Sequence, residues 1–265
     1  MISPVRPADL SRAKAAAFKL SKRYGFLHPA QMALEDIAWD RGVVVSPGRL
    51  EGSEARIVRK GSRGTIRVRA GTGEMGRRRF SIAHELGHWE LHEESQWFVC
   101  SSANLRDYKK SPQEAEANTF AAELLMPTSH VRPRCENSSP SLELVKSIAD
   151  DFQVSLTAAG IRVVHLTKQE CILVASKDRR VSWWIPKGDR FGVWLRKGHP
   201  LSQETLAWNA FDGSVGGEEV EDVSTDAWFP DRPAGVEFGV SEQSMFLPRF
   251  GIVLTLLTFG DAEDE

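Results

Sequence analysis

His84 and His88 stand four residues apart, with Glu85 directly after the first, in the stretch Arg79-Phe80-Ser81-Ile82-Ala83-His84-Glu85-Leu86-Gly87-His88-Trp89-Glu90-Leu91-His92. On a helix that spacing puts both imidazoles on one face, so they can point at one metal ion. Two neutral imidazoles suit zinc. A catalytic zinc takes a third protein ligand and keeps its fourth position for water. Glu85 lies beside the pair and can reach that water. The flanks argue against a solvated surface helix. Phe80, Ile82, Ala83, Leu86, Gly87 and Leu91 make it apolar on more than one side, and such a helix is buried. Two histidines buried without partners are costly, and an ion removes that cost.

The third ligand is expected from the next helix. Ser111 is a good N-cap, Pro112 suits the first helical position, and Glu114 sits where a capping-box acid would. The helix runs through Ala115–Met126 and stops before Pro127. Glu114, Asn118, Ala121 and Leu125 share one face, whose small alanines permit a close approach to the histidine helix. Glu114 can then complete the site, with Asn118 one turn on to hydrogen-bond a ligand. Glu116, about 200° around the helix, is the rival ligand. His92 lies one turn beyond His88, but three ligands at i, i+4 and i+8 do not converge easily on one small ion. Nor does it complete H-E-x-x-H-x-x-G-x-x-H, so it reads as a flanking residue. Zinc is the expected ion, with manganese the alternative.

Other elements must position this pair of helices. Pro7–Tyr24 has helical apolar spacing and ends at Gly25. A second helix is expected from Pro29 to about Arg41, ended by Gly42, and then a short strand at Val43-Val44-Val45. Ala55–Arg59 and Gly64–Arg69 read as a hairpin joined through Lys60-Gly61-Ser62-Arg63. Thr65, Ile66, Arg67, Val68 and Arg69 are expected to form a half-buried edge strand. Placed just before the histidine helix, that strand can pair with an extended peptide.

The stretch Arg79–His88, followed 26 residues after His88 by Glu114-Ala115-Glu116-Ala117-Asn118-Thr119-Phe120-Ala121-Ala122-Glu123-Leu124-Leu125-Met126-Pro127, resembles the ImmA/IrrE family of zinc metallo-endopeptidases. The resemblance covers about residues 25–165 strongly and the rest weakly. It implies that His84, His88 and Glu114 bind zinc and that Glu85 is the catalytic base. It also implies a substrate: a helix-turn-helix (Xre-type) transcriptional repressor, whose cleavage switches on stress, phage or mobile-element genes. A second donor to the oxyanion is expected, and Tyr108, one of two tyrosines, is the candidate.

Ser141–Leu166 reads as two short helices around Phe152-Gln153-Val154-Ser155, a helix-turn-helix shape. Its second helix offers Leu156, Thr157, Ala158, Ala159, Gly160, Ile161 and Arg162, mostly packing surface rather than base-reading side chains. From Glu170 the chain reads as strands at 171–175, 181–185, 191–195, 236–240 and 251–257, with a helix in 201–211. This describes an antiparallel α+β domain holding five of the eight Trp; the resemblance suggests that it is GAF-like, hence a sensor. The expected organisation is an α+β protein. A mainly helical zincin-like peptidase domain with a small sheet spans 1–135. A helix-turn-helix-like unit spans 136–168, the C-terminal domain 169–260, and a disordered acidic tail 261–265.

Composition narrows the function. A hydrophobic content of 41% with 26% charged residues is that of a soluble globular protein. No apolar run reaches 18 residues and the N-terminus lacks a signal core, so a cytoplasmic protein without membrane contact is expected. Three scattered cysteines, Cys100, Cys135 and Cys171, indicate neither a disulfide framework nor a thiolate zinc site; some are expected to be buried free thiols. Residues 1–80 hold 17 Lys/Arg against 7 Asp/Glu, and residues 199–265 hold 2 against 14. The basic half motivates the alternative function, a zinc-containing regulator that binds DNA or a repressor without cutting it. An intact H-E-x-x-H weighs against that alternative, because a purely structural zinc needs neither Glu85 nor an open position.

Overall fold

The structure is a computed structural model that describes residues 7–25, 28–71, 74–93, 111–188, 195–213, 217, 219–233 and 238–260. Tyr108, Cys100, residues 191–194 of one expected strand, residues 236–237 of another and the expected tail 261–265 lie outside the described residues. The fold is mixed α+β, as expected. It divides into two compact units rather than three, Met1–Thr128 with Asp150–Ser155, and Ser129–Ala149 with Leu156–Glu265.

In the first unit, helix α1 (Leu10–Tyr24) is opened by Asp9, whose side chain accepts from the Arg12 amide, and closed by Gly25 in the left-handed conformation. The expected helix over 29–41 is broken. A 3-10 turn, Pro29–Gln31, precedes α2 (Leu34–Asp40). Gly42 then turns the chain at φ +79°, where an added Cβ would lie 2.7 Å from the Ser62 carbonyl oxygen. Strands β1 (Val43–Gly48), β2 (Ala55–Lys60) and β3 (Arg63–Arg69) follow.

Their order corrects one expectation. The sheet runs β1-β3-β2, with β3 parallel to β1 and antiparallel to β2. The strand carrying Thr65, Ile66, Arg67, Val68 and Arg69 is therefore central, with both edges paired, and cannot accept an added strand. Ile66 and Val68 are buried and Thr65 and Arg67 exposed, as the alternation implies; the parallel pairing of Val45 with Ile66 is a non-local choice that alternation does not reveal. The edge strand beside the histidine helix is β2.

That helix, α3 (Met75–Leu91), packs against α4 (Pro112–Leu125), α1 and β2. Its buried face, with Ile82, Ala83 and Leu86 at 0–1% exposure, removes three apolar side chains from water, worth about 1.5–3 kcal/mol for each large one. Trp89 fixes it to the sheet. The Arg59 guanidinium stacks 3.6 Å from the Trp89 ring and also donates to the Trp89 carbonyl, and the ring lies where a Cβ on Gly64 would sit. Arg79 donates to the Met32 and Pro29 carbonyls at 3.0 and 2.9 Å, and Arg41 makes a two-toothed ion pair with Glu90. The helix is thus held near both ends.

The second unit contains α5 (Thr128–Glu136), which begins in the first and which two prolines, Pro127 and Pro133, hid from sequence reading. Helices α6 (Leu142–Phe152) and α7 (Leu156–Leu166) follow, with Gln153 between them at φ +52°. Ala159, Gly160, Arg162, Val163, Val164 and Leu166 of α7 are buried.

The five-stranded antiparallel sheet has the order β5-β4-β8-β7-β6, from β4 (Cys171–Lys177), β5 (Arg180–Lys187), β6 (Glu221–Val223), β7 (Val240–Leu247) and β8 (Ile252–Phe259). Alternate residues of β4 enter two cores, Ile172 and Val174 on one side, Cys171, Leu173 and Ala175 on the other. The expected helix in 201–211 shortens to α8 (Leu206–Ala210), and α9 (Thr225–Trp228) is added. Cys135 and Cys171 are buried free thiols. No described helix is long and apolar enough to cross a membrane.

Candidate metal centre

α3 and α4 approach so closely that an α-carbon substituent on Gly87 would lie 3.1 Å from the Ala117 α-carbon. This contact brings Glu114 onto the two histidines. His84 Nε2 lies 3.1 Å from His88 Nε2 and 3.3 Å from Glu114 Oε2, and His88 Nε2 lies 2.9 Å from Glu114 Oε1. Among the described residues these three form the group able to hold an ion, their ligand atoms all within 4.8 Å of one another. A tetrahedral zinc with ligands at about 2.0–2.2 Å separates them by roughly 3.3–3.6 Å, so small side-chain rotations fit the group to the ion.

The hydrogen bonds behind the imidazoles favour the same outcome. Asn118 Oδ1, an acceptor only, lies 3.0 Å from His84 Nδ1, so that nitrogen carries the proton. On a neutral ring this leaves the Nε2 lone pair facing the cluster. When the Nε2 atom of His88 is bare as well, the centre is a set of acceptors facing one another, and a cation is what such a set lacks. The electrostatics agree. Burial opposes a charge on His84, but Glu114 and Glu85 outweigh it and raise its pKa. Burial lowers His88 to about 4. Burial pulls the Glu114 carboxyl upward, yet the two histidines hold it down to about 2. A proton on His84 or a metal ion can supply the positive charge that the carboxylate demands.

Glu85 is 3% exposed, and burial is the main cause of a pKa pushed up to about 7. The Ile57 amide of β2 donates to its carboxylate, while Oε2 is buried with no hydrogen-bond partner among the described residues. A carboxylate half satisfied by the edge strand and half open suits a base that receives a proton.

Glu116, the rival ligand, is not in the cluster. Its Oε2 lies 2.9 Å from His92 Nε2, and its Oε1 accepts from the Asp9 amide at 2.7 Å. His92 does not merely flank the site, because its Nδ1 lies 3.0 Å from His88 Nδ1. Sequence reasoning missed this connection. The available signal was a second four-residue histidine step, His88 to His92, combined with a carboxylate two residues beyond Glu114.

A family model described as the IrrE N-terminal-like domain (Peptidase M78) matches residues 40–164. No curated protein matches this chain. Among solved structures, a Mycobacterium tuberculosis transcriptional regulator is similar, with a TM-score of 0.60 at 14% identity over 94% of this chain and 76% of the regulator. At that identity the likeness shows the fold alone.

Proposed function

Because the chain belongs, through residues 40–164, to the IrrE N-terminal-like peptidase family, we propose that it is a zinc-dependent endopeptidase that cuts a helix-turn-helix (Xre-type) transcriptional repressor in the cytoplasm. The observation that carries this reading is the convergence of His84, His88 and Glu114 beside a buried, half-satisfied Glu85. His84, His88 and Glu114 would hold the ion, with Asn118 orienting His84. When bound, zinc supplies Lewis acidity to water and to a carbonyl oxygen.

The chain's own residues do the rest. Glu85 Oε2 takes the proton as water attacks the scissile carbonyl, and returns it to the leaving amine. The Ile57 amide holds the other side of that carboxylate and so aims it. Tyr108 is the proposed donor to the developing oxyanion.

The substrate pairs with β2. Glu54 accepts from the Arg69 amide at 2.8 Å, and hydrogen-bonding residues alternate along an antiparallel pair. Among the described residues no strand pairs with the outer side of β2, so the backbone groups of Ala55 and Arg59 and the Ile57 carbonyl face an open edge, where an extended segment can add alongside Glu85. We assign the five-stranded domain a GAF-like sensor role.

Co-expression with a helix-turn-helix repressor, read by intact mass with zinc supplied, tests the proposal. One new cut, absent with Glu85→Gln, is expected. Normal cleavage by Glu85→Gln would sink the mechanism.

A further inference from the structure

The pair His92 and Glu116 is buried, at 9% and 5% exposure, and touches no reacting atom in the mechanism above. Its geometry makes a directed chain. His88 Nε2 faces Glu114 and His84, so a neutral His88 that offers its Nε2 lone pair to an ion must carry its proton on Nδ1. That Nδ1–H points at His92 Nδ1, 3.0 Å away, which must then be the acceptor. His92 in turn has its proton on Nε2, 2.9 Å from Glu116 Oε2, where a carboxylate can only accept. The other oxygen of Glu116 accepts from the Asp9 amide at 2.7 Å. Each donor in this sequence meets an acceptor, and the order runs one way only when His88 Nε2 is bare.

We propose that His92 and Glu116 are positioning residues that fix the tautomer and ring orientation of His88 and so raise its basicity toward the metal. This rests on the metal reading above and deepens it. Asn118 performs the corresponding task for His84 with one amide. His88 has a longer support, a histidine and then a carboxylate, and that support is anchored outside the two motif helices. Asp9 is the N-cap of α1, and Arg12, one turn later, donates to the carbonyl of Leu91, the last residue of α3, at 2.6 Å. The start of α1 therefore holds both Glu116 and the end of the histidine helix in register.

The test is metal affinity, measured by competition with a zinc chelator, together with the visible spectrum of the cobalt(II)-loaded protein. His92→Phe removes the acceptor and keeps the volume; its zinc affinity is expected to fall by about 10–100-fold, the range for loss of an outer-shell partner. Its cobalt bands are expected to shift. His92→Asn places an amide oxygen near the Nδ1 position and should recover affinity to within about threefold of wild type, because an acceptor for the His88 proton is kept. Glu116→Gln keeps an acceptor but loses the charge and should fall between the two. The asparagine and glutamine variants read the role even if the phenylalanine variant folds poorly. Zinc affinity and cobalt spectrum unchanged in His92→Phe would overturn this inference alone. Wild-type protein that takes up neither metal would overturn the metal reading, and this inference with it.

Discussion

Two buried carboxylate centres, one in each unit, solve the same physical problem in opposite ways. In the second unit, Glu242 is fully buried on β7. Its Oε1 accepts from the Ala207 amide at 2.6 Å and the Ser244 hydroxyl at 2.8 Å, and its Oε2 accepts from the Trp228 indole at 2.9 Å. The Leu206 amide also donates to it. Burial still pushes the Glu242 carboxyl upward, since these donors offset the lost solvation only in part. In the first unit, Glu114 faces two imidazole nitrogens whose backs are engaged by Asn118 and His92. One carboxylate is completed by donors of its own chain. The other, once both histidine Nε2 atoms are bare, faces further acceptors and is completed by a cation. A buried acid is thus not a functional signal by itself; what surrounds it decides.

This contrast can be broken at either centre. The largest effect is expected from Glu85→Gln, which should lower repressor cleavage by about 10²–10⁴-fold while zinc content stays at the wild-type level. Loss of zinc together with cleavage would mean that Glu85 serves the ion rather than the water.

Zinc at a thousand times its Kd should stabilise the first unit by about 4 kcal/mol, seen as a rise in its thermal midpoint. Glu114→Ala should abolish that rise, and Glu242→Leu should leave it intact. Conversely, Glu242→Leu strands four buried donors and should cost the second unit about 3 kcal/mol in denaturant unfolding, equally with and without zinc. A zinc-dependent cost would erase the distinction between the two centres.

The smallest effect concerns the scaffold. Gly87→Ala pushes α3 from α4 at the 3.1 Å contact with Ala117 and should cost about 1–3 kcal/mol. It should also weaken zinc binding, because Glu114 rides on α4. Weakened stability with unchanged zinc affinity would show that the site tolerates helix separation.

Much of the first centre was legible in the sequence because its chemistry is local. A four-residue spacing, a capping box and an apolar flank place α3, α4 and the residues His84, Glu85, His88 and Glu114. What depended on non-local pairing was not legible. The central position of β3 follows from its parallel match to β1, and the roles of His92 and Glu116 follow from where α1 sits. The extension of β7 through Ser241–Leu247 was hidden by its polar Glu242, Gln243 and Ser244, whose partners lie inside the fold: Ser244 donates to Glu242, and Gln243 accepts from the Leu142 amide. α5 was hidden by its prolines. The family model reaches from residue 40 to residue 164, and beyond it the strand pattern alone indicated an antiparallel α+β fold.

The most direct test of the metal centre is native mass spectrometry of protein purified with zinc supplied, comparing wild type, Glu85→Gln and Glu114→Ala. One zinc per chain in wild type and Glu85→Gln, and its loss in Glu114→Ala, is the predicted result. A zinc-free wild type, or a Glu114→Ala variant that holds zinc as well as wild type, would contradict it.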